Sequence, residues 1–140
     1  MDELQSECEL IEYTLKDRSY TITESILSRN PEIVGFGVYI WNVEIIKEVI
    51  SHLEKVRPQI KVVVGGPEVS HDRKFCELFN NVDIIQGEAD FAFKDYCEDH
   101  LNGTENQRVI QAARPELKTL KSPYAYISDE DIKNKLIYVE

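Results

Sequence analysis

The feature that most constrains the fold is an apolar run ending in two glycines, Lys61-Val-Val-Val-Gly-Gly-Pro-Glu-Val-Ser70. Its β-branched residues follow one another without polar alternation, which predicts a strand covered on both faces, as in the middle of a parallel sheet. Gly65 and Gly66 let the backbone turn sharply, and Pro67 stiffens the turn. Ligands of doubly wound α/β folds bind at the carboxyl ends of such strands. This turn is therefore the first candidate site.

Further strand and helix patterns alternate along the first hundred residues. Strands are predicted over residues 8–15, 33–40 and 82–85. Helices are predicted from the capping-box spacing at Thr21–Glu24 to Asn30, over 42–57, over about 70–80 and over 89–101, where Asn102-Gly103 ends the last one. The crossovers are long enough for parallel pairing. The sequence thus predicts an α/β fold with a flavodoxin-like or Rossmann-like doubly wound, mostly parallel sheet.

The pattern weakens beyond residue 104. Residues 106–127 are mostly polar and contain two prolines, which predicts an extended linker with room for a brief strand at 108–111. A helix start is predicted at Ser128–Asp131 and a strand at 135–140. We therefore divide the chain into an α/β domain, residues 1–104, and a linker with the start of another domain, residues 105–140.

Charge and cysteine content bear on partners and location. The chain has 26 acidic and 16 basic residues, a net charge of −10, which disfavours nucleic acid and anionic membranes as partners. No apolar run approaches the roughly 20 residues of a membrane span, and the first residues have no export signal. Three widely spaced cysteines, Cys8, Cys76 and Cys97, fit reduced thiols better than disulfides or a metal cluster. These features predict a cytoplasmic protein.

Three predicted strand ends meet at one edge of the sheet. They are Tyr39-Ile-Trp-Asn42, Gly65-Gly-Pro-Glu68 and Gly87-Glu88. Glycines, aromatic rings and helix amino termini suit a ligand there, although ordinary strand-to-helix turns explain the spacing equally well. Neither a dinucleotide-binding nor a P-loop motif is present. A ligand role for His71, beside the turn, is less favoured than a surface role, and we predict no catalytic residue and no metal site.

Residues 33–42, 62–70 and 83–90 together resemble the amino-terminal cobalamin-binding domain of radical S-adenosylmethionine (SAM) enzymes. That family has a strand ending in Gly-Gly-Pro-Glu and a later Asp-x-x-x-Gly-Glu segment, which here are Val62–Glu68 and Asp83–Glu88. The likeness covers about residues 8–101. It implies that the chain stops before the C-x-x-x-C-x-x-C loop that holds a [4Fe–4S] cluster in the family.

The resemblance also implies a ligand, its contacts and a parent enzyme. Cobalamin would lie with its nucleotide tail beside Gly65, Gly66 and Pro67, with Glu68 near them and Tyr39, Trp41, Asn42, Gly87 and Glu88 along the same edge. The fragment itself would not be catalytic, whereas its parent would use a [4Fe–4S] cluster and SAM in methyltransferase-like chemistry. The D-x-H-x-x-G signature of cobalamin methyltransferases is absent, and its nearest string, at Glu98–Gly103, lies at a helix end. His100 is therefore not a predicted cobalt ligand.

The family's first strand would precede residue 8, and its absence predicts a vacant slot in the sheet beside residues 32–40. Either residues 8–15 shift to pair there, or a strand of a second copy, such as 135–140, inserts and makes a homodimer. The expected partners are thus the radical SAM domain of the same parent chain and a second copy. The alternative function is a flavodoxin-like interaction or oligomerisation domain that binds no cofactor.

Overall fold

A four-stranded parallel sheet forms the centre of the computed structural model, which describes residues 7–70, 74–120, 122 and 127–135. The strands are β1 (Ile33–Gly37), β2 (Lys61–Gly65), β3 (Val82–Gln86) and β4 (Val109–Gln111), and they lie side by side in that order. Residue 33 is paired with 61, 62 with 82, and 84 with 109. The predicted α/β fold with a parallel sheet is confirmed, and so is the brief strand predicted near residue 109.

Helices cover both faces of this sheet. They are α1 (Ser19–Ser28), α2 (Val43–Val56), α3 (Lys74–Leu78) and α4 (Asp90–Leu101), whereas the last helix, α5 (Asp129–Asn134), has no buried residue. One face packs against α1, α2 and α3 in a cluster that includes Ile22, Ile50 and Phe75. The opposite face packs against α4, where Tyr96 contacts Val63 and Ile85. No helix in the described part of the chain is long and apolar enough to cross a membrane.

The burial of the middle strands follows from their composition. Val62, Val63 and Val64 of β2 are all at most 2% exposed, because helices lie above and below them. A strand with two covered faces gains from apolar residues at every position, which is why its sequence does not alternate. The apolar stripe predicted for residues 42–57 is likewise buried in α2, with Leu53 near its end. These elements hold the carboxyl ends of the strands at one edge.

The strand predicted over residues 8–15 is wrong. That segment has no regular secondary structure, and Leu10 within it is 92% exposed. Side-chain bonds hold it against α1 instead: the Tyr13 hydroxyl donates to Ser25 Oγ at 2.9 Å, and Arg29 pairs with Glu9 at 2.9 Å. Within the described residues β1 pairs with β2 alone, so the expectation that residues 8–15 pair with residues 32–40 is also wrong.

Several predicted boundaries also differ from the structure. Helix α1 begins at Ser19, so Thr21 lies inside the helix and is not its cap. Strand β1 ends at Gly37, three residues before the predicted end, because the Asn42 side chain folds the chain back there. The capping box at Ser128 is present, since the Ser128 side chain accepts from the Asp131 amide and the Asp131 side chain accepts from the Ser128 amide. The predicted strand at 135–140 falls almost wholly on residues 136–140, outside the described residues.

Arg108 ties the end of α3 to β3, which gives a first testable prediction. Its Nη2 donates to the carbonyls of Cys76 at 3.1 Å, Phe79 at 2.7 Å and Val82 at 3.1 Å. Arg108→Met keeps the apolar stem but removes these donors, so we expect the free energy of unfolding to fall by about 1 to 2 kcal/mol in urea denaturation. Arg114→Met is the matched control, because Arg114 is exposed and only approaches Glu88 at 3.6 Å. Equal losses in the two variants would contradict the prediction.

Candidate functional site

The turns after β1 and β2 are joined by backbone hydrogen bonds. The Val38 amide donates to the Gly65 carbonyl at 2.7 Å, and the Glu68 amide donates to the Val38 carbonyl at 3.3 Å. Val38 itself is fully buried. The two turns are therefore held side by side, and Pro67 and Glu68 lie exposed between them and solvent.

Gly66 is required by the geometry of this contact. Its φ is +106°, and a Cβ atom built on it would lie 2.7 Å from the Val38 carbonyl oxygen. Only glycine adopts this conformation without strain, and only glycine leaves space for the neighbouring turn. The Ser70 hydroxyl donates to the Gly66 carbonyl at 2.8 Å and closes the turn. Gly65 is less constrained, because a Cβ atom there would lie 3.7 Å from the nearest atom, the Ile85 carbonyl oxygen.

Asn42 folds the turn after β1 into a compact loop. Its Oδ1 accepts from the Tyr39 amide at 2.8 Å, and its Nδ2 donates to the Gly37 carbonyl at 3.0 Å. The rings of Tyr39 and Trp41 are stacked, with centroids 4.8 Å apart and planes inclined by 6°. Trp41 is 63% exposed, so the pair presents a flat aromatic surface to solvent.

The turn after β3 adds a third glycine and a buried amide. Gly87 has φ +92° and follows Gln86, which is 7% exposed. Gln86 Nε2 donates to the Val69 carbonyl at 3.4 Å, which connects this turn to the one after β2. The Gln86 carbonyl accepts from the Ala112 amide at 2.9 Å. Glu88 is exposed and lies 3.6 Å from Arg114.

Of the nine predicted site residues, Gly65 ends β2 and the other eight lie in three loops that follow neighbouring strands at one edge of the sheet. The sequence did not indicate Val38 or Gln86 as residues that join these loops, because their partners come from other turns. The sequence signal for Gln86 is a polar residue that closes the strand Val-Asp-Ile-Ile-Gln, in which Asp83 is the only other polar residue. The assignment of the nine residues to a cofactor stays a prediction.

An open groove of about 560 Å³ lies next to this edge. It is lined by Leu15, Asp17, Arg18, Ser19, Tyr20, Trp41, Glu44, Ile45 and Glu48. Trp41 belongs to both the groove and the aromatic pair, so the two surfaces are continuous. The sequence did not predict the groove, because it depends on the start of α1 lying beside the start of α2.

The described histidines are far from the glycine turns. His52 Nδ1 lies 3.4 Å from the Thr23 hydroxyl, between α2 and α1. His100 lies 3.6 Å from Glu32, which directly precedes β1 and so lies at the amino-terminal ends of the strands. His71 lies outside the described residues. Burial raises the pKa of the Cys97 thiol to about 11, so it stays protonated at neutral pH. No group of three metal-binding side chains occurs in residues 7–70, 74–120, 122 and 127–135.

Comparisons with known proteins give a family and a related fold. The family described as the B12 binding domain matches residues 2–96. A crystal structure of the N-terminal domain of a hypothetical protein from Thermotoga maritima is similar, with a TM-score of 0.53 and 16% identity. The match covers 79% of this chain and 83% of that one, and at this identity it concerns the fold alone. No curated protein sequence matches.

Proposed function

This chain belongs to the B12-binding domain family, and from that premise we propose that it binds cobalamin at the carboxyl edge of its sheet as a module of a radical SAM enzyme. The observation that carries the proposal is the meeting of three loops at this edge, with Gly66 and Gly87 at positive φ and the stacked Tyr39–Trp41 pair beside them. Crevices at this end of α/β sheets are the usual ligand sites of such folds.

The residues at this edge suit the nucleotide tail of cobalamin. The turn at Gly65 and Gly66 lies partly open at this edge beside the exposed Pro67 and Glu68, and Trp41 offers a flat apolar surface for stacking a base. Cobalamin supplies a cobalt-centred methyl carrier when bound, which is the chemistry that a radical SAM parent would use. The contribution of these residues is to orient the tail and exclude water from it.

The described residues of this edge include no histidine, which bears on how the cobalt would be held. His52 and His100 bond elsewhere, to Thr23 and Glu32. We therefore propose that these residues hold cobalamin by backbone and aromatic contacts without ligating the cobalt. EPR spectroscopy of the Co(II) form of the complex tests this arrangement, because its nitrogen splitting should not change when the histidines of the chain are labelled with 15N.

Titration with hydroxocobalamin tests the proposal directly. The chain should bind and co-elute with the corrinoid, and Trp41→Ala should weaken binding by about fivefold, since loss of an aromatic stacking partner costs on the order of 1 kcal/mol. Val56→Ala is the matched control: Val56 is also 63% exposed but lies at the far end of α2. Its affinity should equal that of the unmodified chain.

Two outcomes of that titration would contradict the assignment of cobalamin to this edge of the sheet. One is no binding by the unmodified chain, which would favour the alternative of an interaction domain without a cofactor. The other is equal binding by the Trp41→Ala and unmodified chains, which would exclude the aromatic pair from the site. Circular dichroism of both variants establishes that they are folded.

The radical SAM parent, with its [4Fe–4S] cluster and SAM, is a further part of the proposal. Its catalytic domain would be the partner of this module, and Ile40, which is 75% exposed next to the aromatic pair, is an apolar contact suited to it. The gene sequence after Glu140 tests this, because a C-x-x-x-C-x-x-C motif is expected a short way downstream. The three free cysteines fit a cytoplasmic location for such an enzyme.

A further inference from the structure

The outer edge of β1 carries backbone groups that no strand in the described residues pairs with. The Lys61 amide donates to the Glu32 carbonyl, and the Val38 amide donates to the Gly65 carbonyl. Backbone groups alternate in direction along a strand, so the even-numbered residues from 32 to 38 face β2. The amides and carbonyls of Ile33, Gly35 and Gly37 therefore face away from it.

Only one of these outward groups has a partner in the described structure. The Gly37 carbonyl accepts from Asn42 Nδ2 at 3.0 Å. Gly35 and Gly37 have no side chain to shield their backbone, and both are at least partly open to solvent. An unshielded row of donors and acceptors is a template for another strand.

The side chains of β1 also lack the features by which natural edge strands avoid pairing with other chains. Native edge strands are protected by lysine, proline, bulges or inward-pointing charges. The sequence of β1 is Ile-Val-Gly-Phe-Gly, with no charge and no proline. All five residues pair in continuous register with β2, so the strand has no bulge.

We propose that the outer edge of β1 is a self-association surface on which β1 of a second copy pairs antiparallel. A two-fold axis through Gly35 would place Ile33 opposite Gly37 of the other copy. Each partially positive N–H then meets a partially negative C=O, so this edge is complementary in charge to itself. The two sheets would join into one continuous sheet of eight strands.

The proposed pairing predicts which amides become protected. Hydrogen exchange measured by NMR at rising protein concentration should slow at the amides of Ile33, Gly35 and Gly37. The amides of Val34 and Phe36 already face β2 and should not change. Protection of neither set, or of all five residues alike, would overturn the antiparallel arrangement.

Gly37→Pro tests the association itself. Proline removes an outward donor, and edge strands tolerate it where the N–H faces solvent. A Cβ at Gly37 would meet only Tyr39 Cε2, at 3.4 Å, whereas one at Gly35 would lie 3.1 Å from Phe93 Cζ. Light scattering at about 0.5 M NaCl, which screens repulsion between copies of net charge −10, should show a dimer of the unmodified chain and a monomer of the variant at the same concentration.

Two further variants make the result decisive. Gly37→Ala keeps the outward donor, and its Cβ would meet only Tyr39 Cε2 at 3.4 Å, so it should remain dimeric. Glu105→Pro, in an exposed loop away from the edge, should also remain dimeric. Circular dichroism must show that each variant is folded. A monomeric unmodified chain up to millimolar concentration, a dimer that survives Gly37→Pro, or a monomeric Gly37→Ala would overturn the proposal.

Discussion

Gly66→Ala is expected to lower the free energy of unfolding by about 2 to 4 kcal/mol, the largest effect expected for alanine at any of the six glycines. Two costs combine at this position. The backbone has φ +106°, which an alanine adopts only with strain, and the new Cβ would lie 2.7 Å from the Val38 carbonyl oxygen. That oxygen belongs to a buried backbone and cannot move without breaking its bond from the Glu68 amide. Urea denaturation measures the loss.

Gly103→Ala separates the two costs. Gly103 also has a positive φ, +73°, but a Cβ there meets no atom within 4 Å. It should therefore show the backbone strain alone, about 1 kcal/mol. If Gly66→Ala were no more destabilising than Gly103→Ala, the close approach of the two turns would not exist as described.

Tyr96→Phe should be the second most damaging of the changes considered, with a loss of about 2 to 3 kcal/mol in the free energy of unfolding. The Tyr96 hydroxyl donates to Asp83 Oδ2 at 2.7 Å, and both residues are buried, at 1% and 5% exposure. Removal of the hydroxyl leaves a buried carboxylate without this donor. Tyr20→Phe, which removes a hydroxyl from a half-exposed ring, should change stability by less than about 0.5 kcal/mol.

A double variant tests whether the loss comes from the unpaired carboxylate. Asp83→Val combined with Tyr96→Phe replaces both polar partners by apolar groups, so it should recover most of the stability lost in Tyr96→Phe. A double variant less stable than Tyr96→Phe would show that the aspartate has other stabilising contacts.

The same hydrogen bond predicts the dependence of stability on alkaline pH. Burial and the Asp83 carboxylate raise the pKa of Tyr96 above its ordinary value. An unfolded tyrosine loses its proton near pH 10, whereas folded Tyr96 keeps it, so unfolding releases a proton above that pH. This contribution to stability is present in full below about pH 10 and is lost as the pH rises. The decline should be shallower in Tyr96→Phe.

The sequence predicted the elements whose own composition indicates which of their faces are buried. The unbroken valines of β2 and the apolar stripe of α2 each indicate what covers them, and both predictions are confirmed. The strand predicted over residues 8–15 is wrong because a short apolar run forms a strand only if a neighbouring strand pairs with it. Here Tyr13 bonds to α1 and Glu9 pairs with Arg29 at the end of that helix instead. Strand pairing depends on two segments, so the sequence of one segment alone does not predict it.

The candidate site was predictable to a similar extent. Glycines at sharp turns are visible in sequence, and the parallel topology brings Gly66 and Gly87 to the same edge. The contacts that join the loops were not predictable, since Val38 and Gln86 bond to backbone atoms of separate turns. The groove beside Trp41 was missed for the same reason, as its lining comes from two helices and the segment before them.

The order of the strands has a consequence for how the chain acquires its structure. Each strand of the sheet hydrogen-bonds to the strand that follows it in the sequence. No strand therefore has to pair with a segment that is distant in the sequence, and the entropy cost of closing each loop is small. During synthesis, β1 and β2 can pair before the ribosome has made β4. A nascent chain can thus build its sheet in one direction, from the first strand to the last.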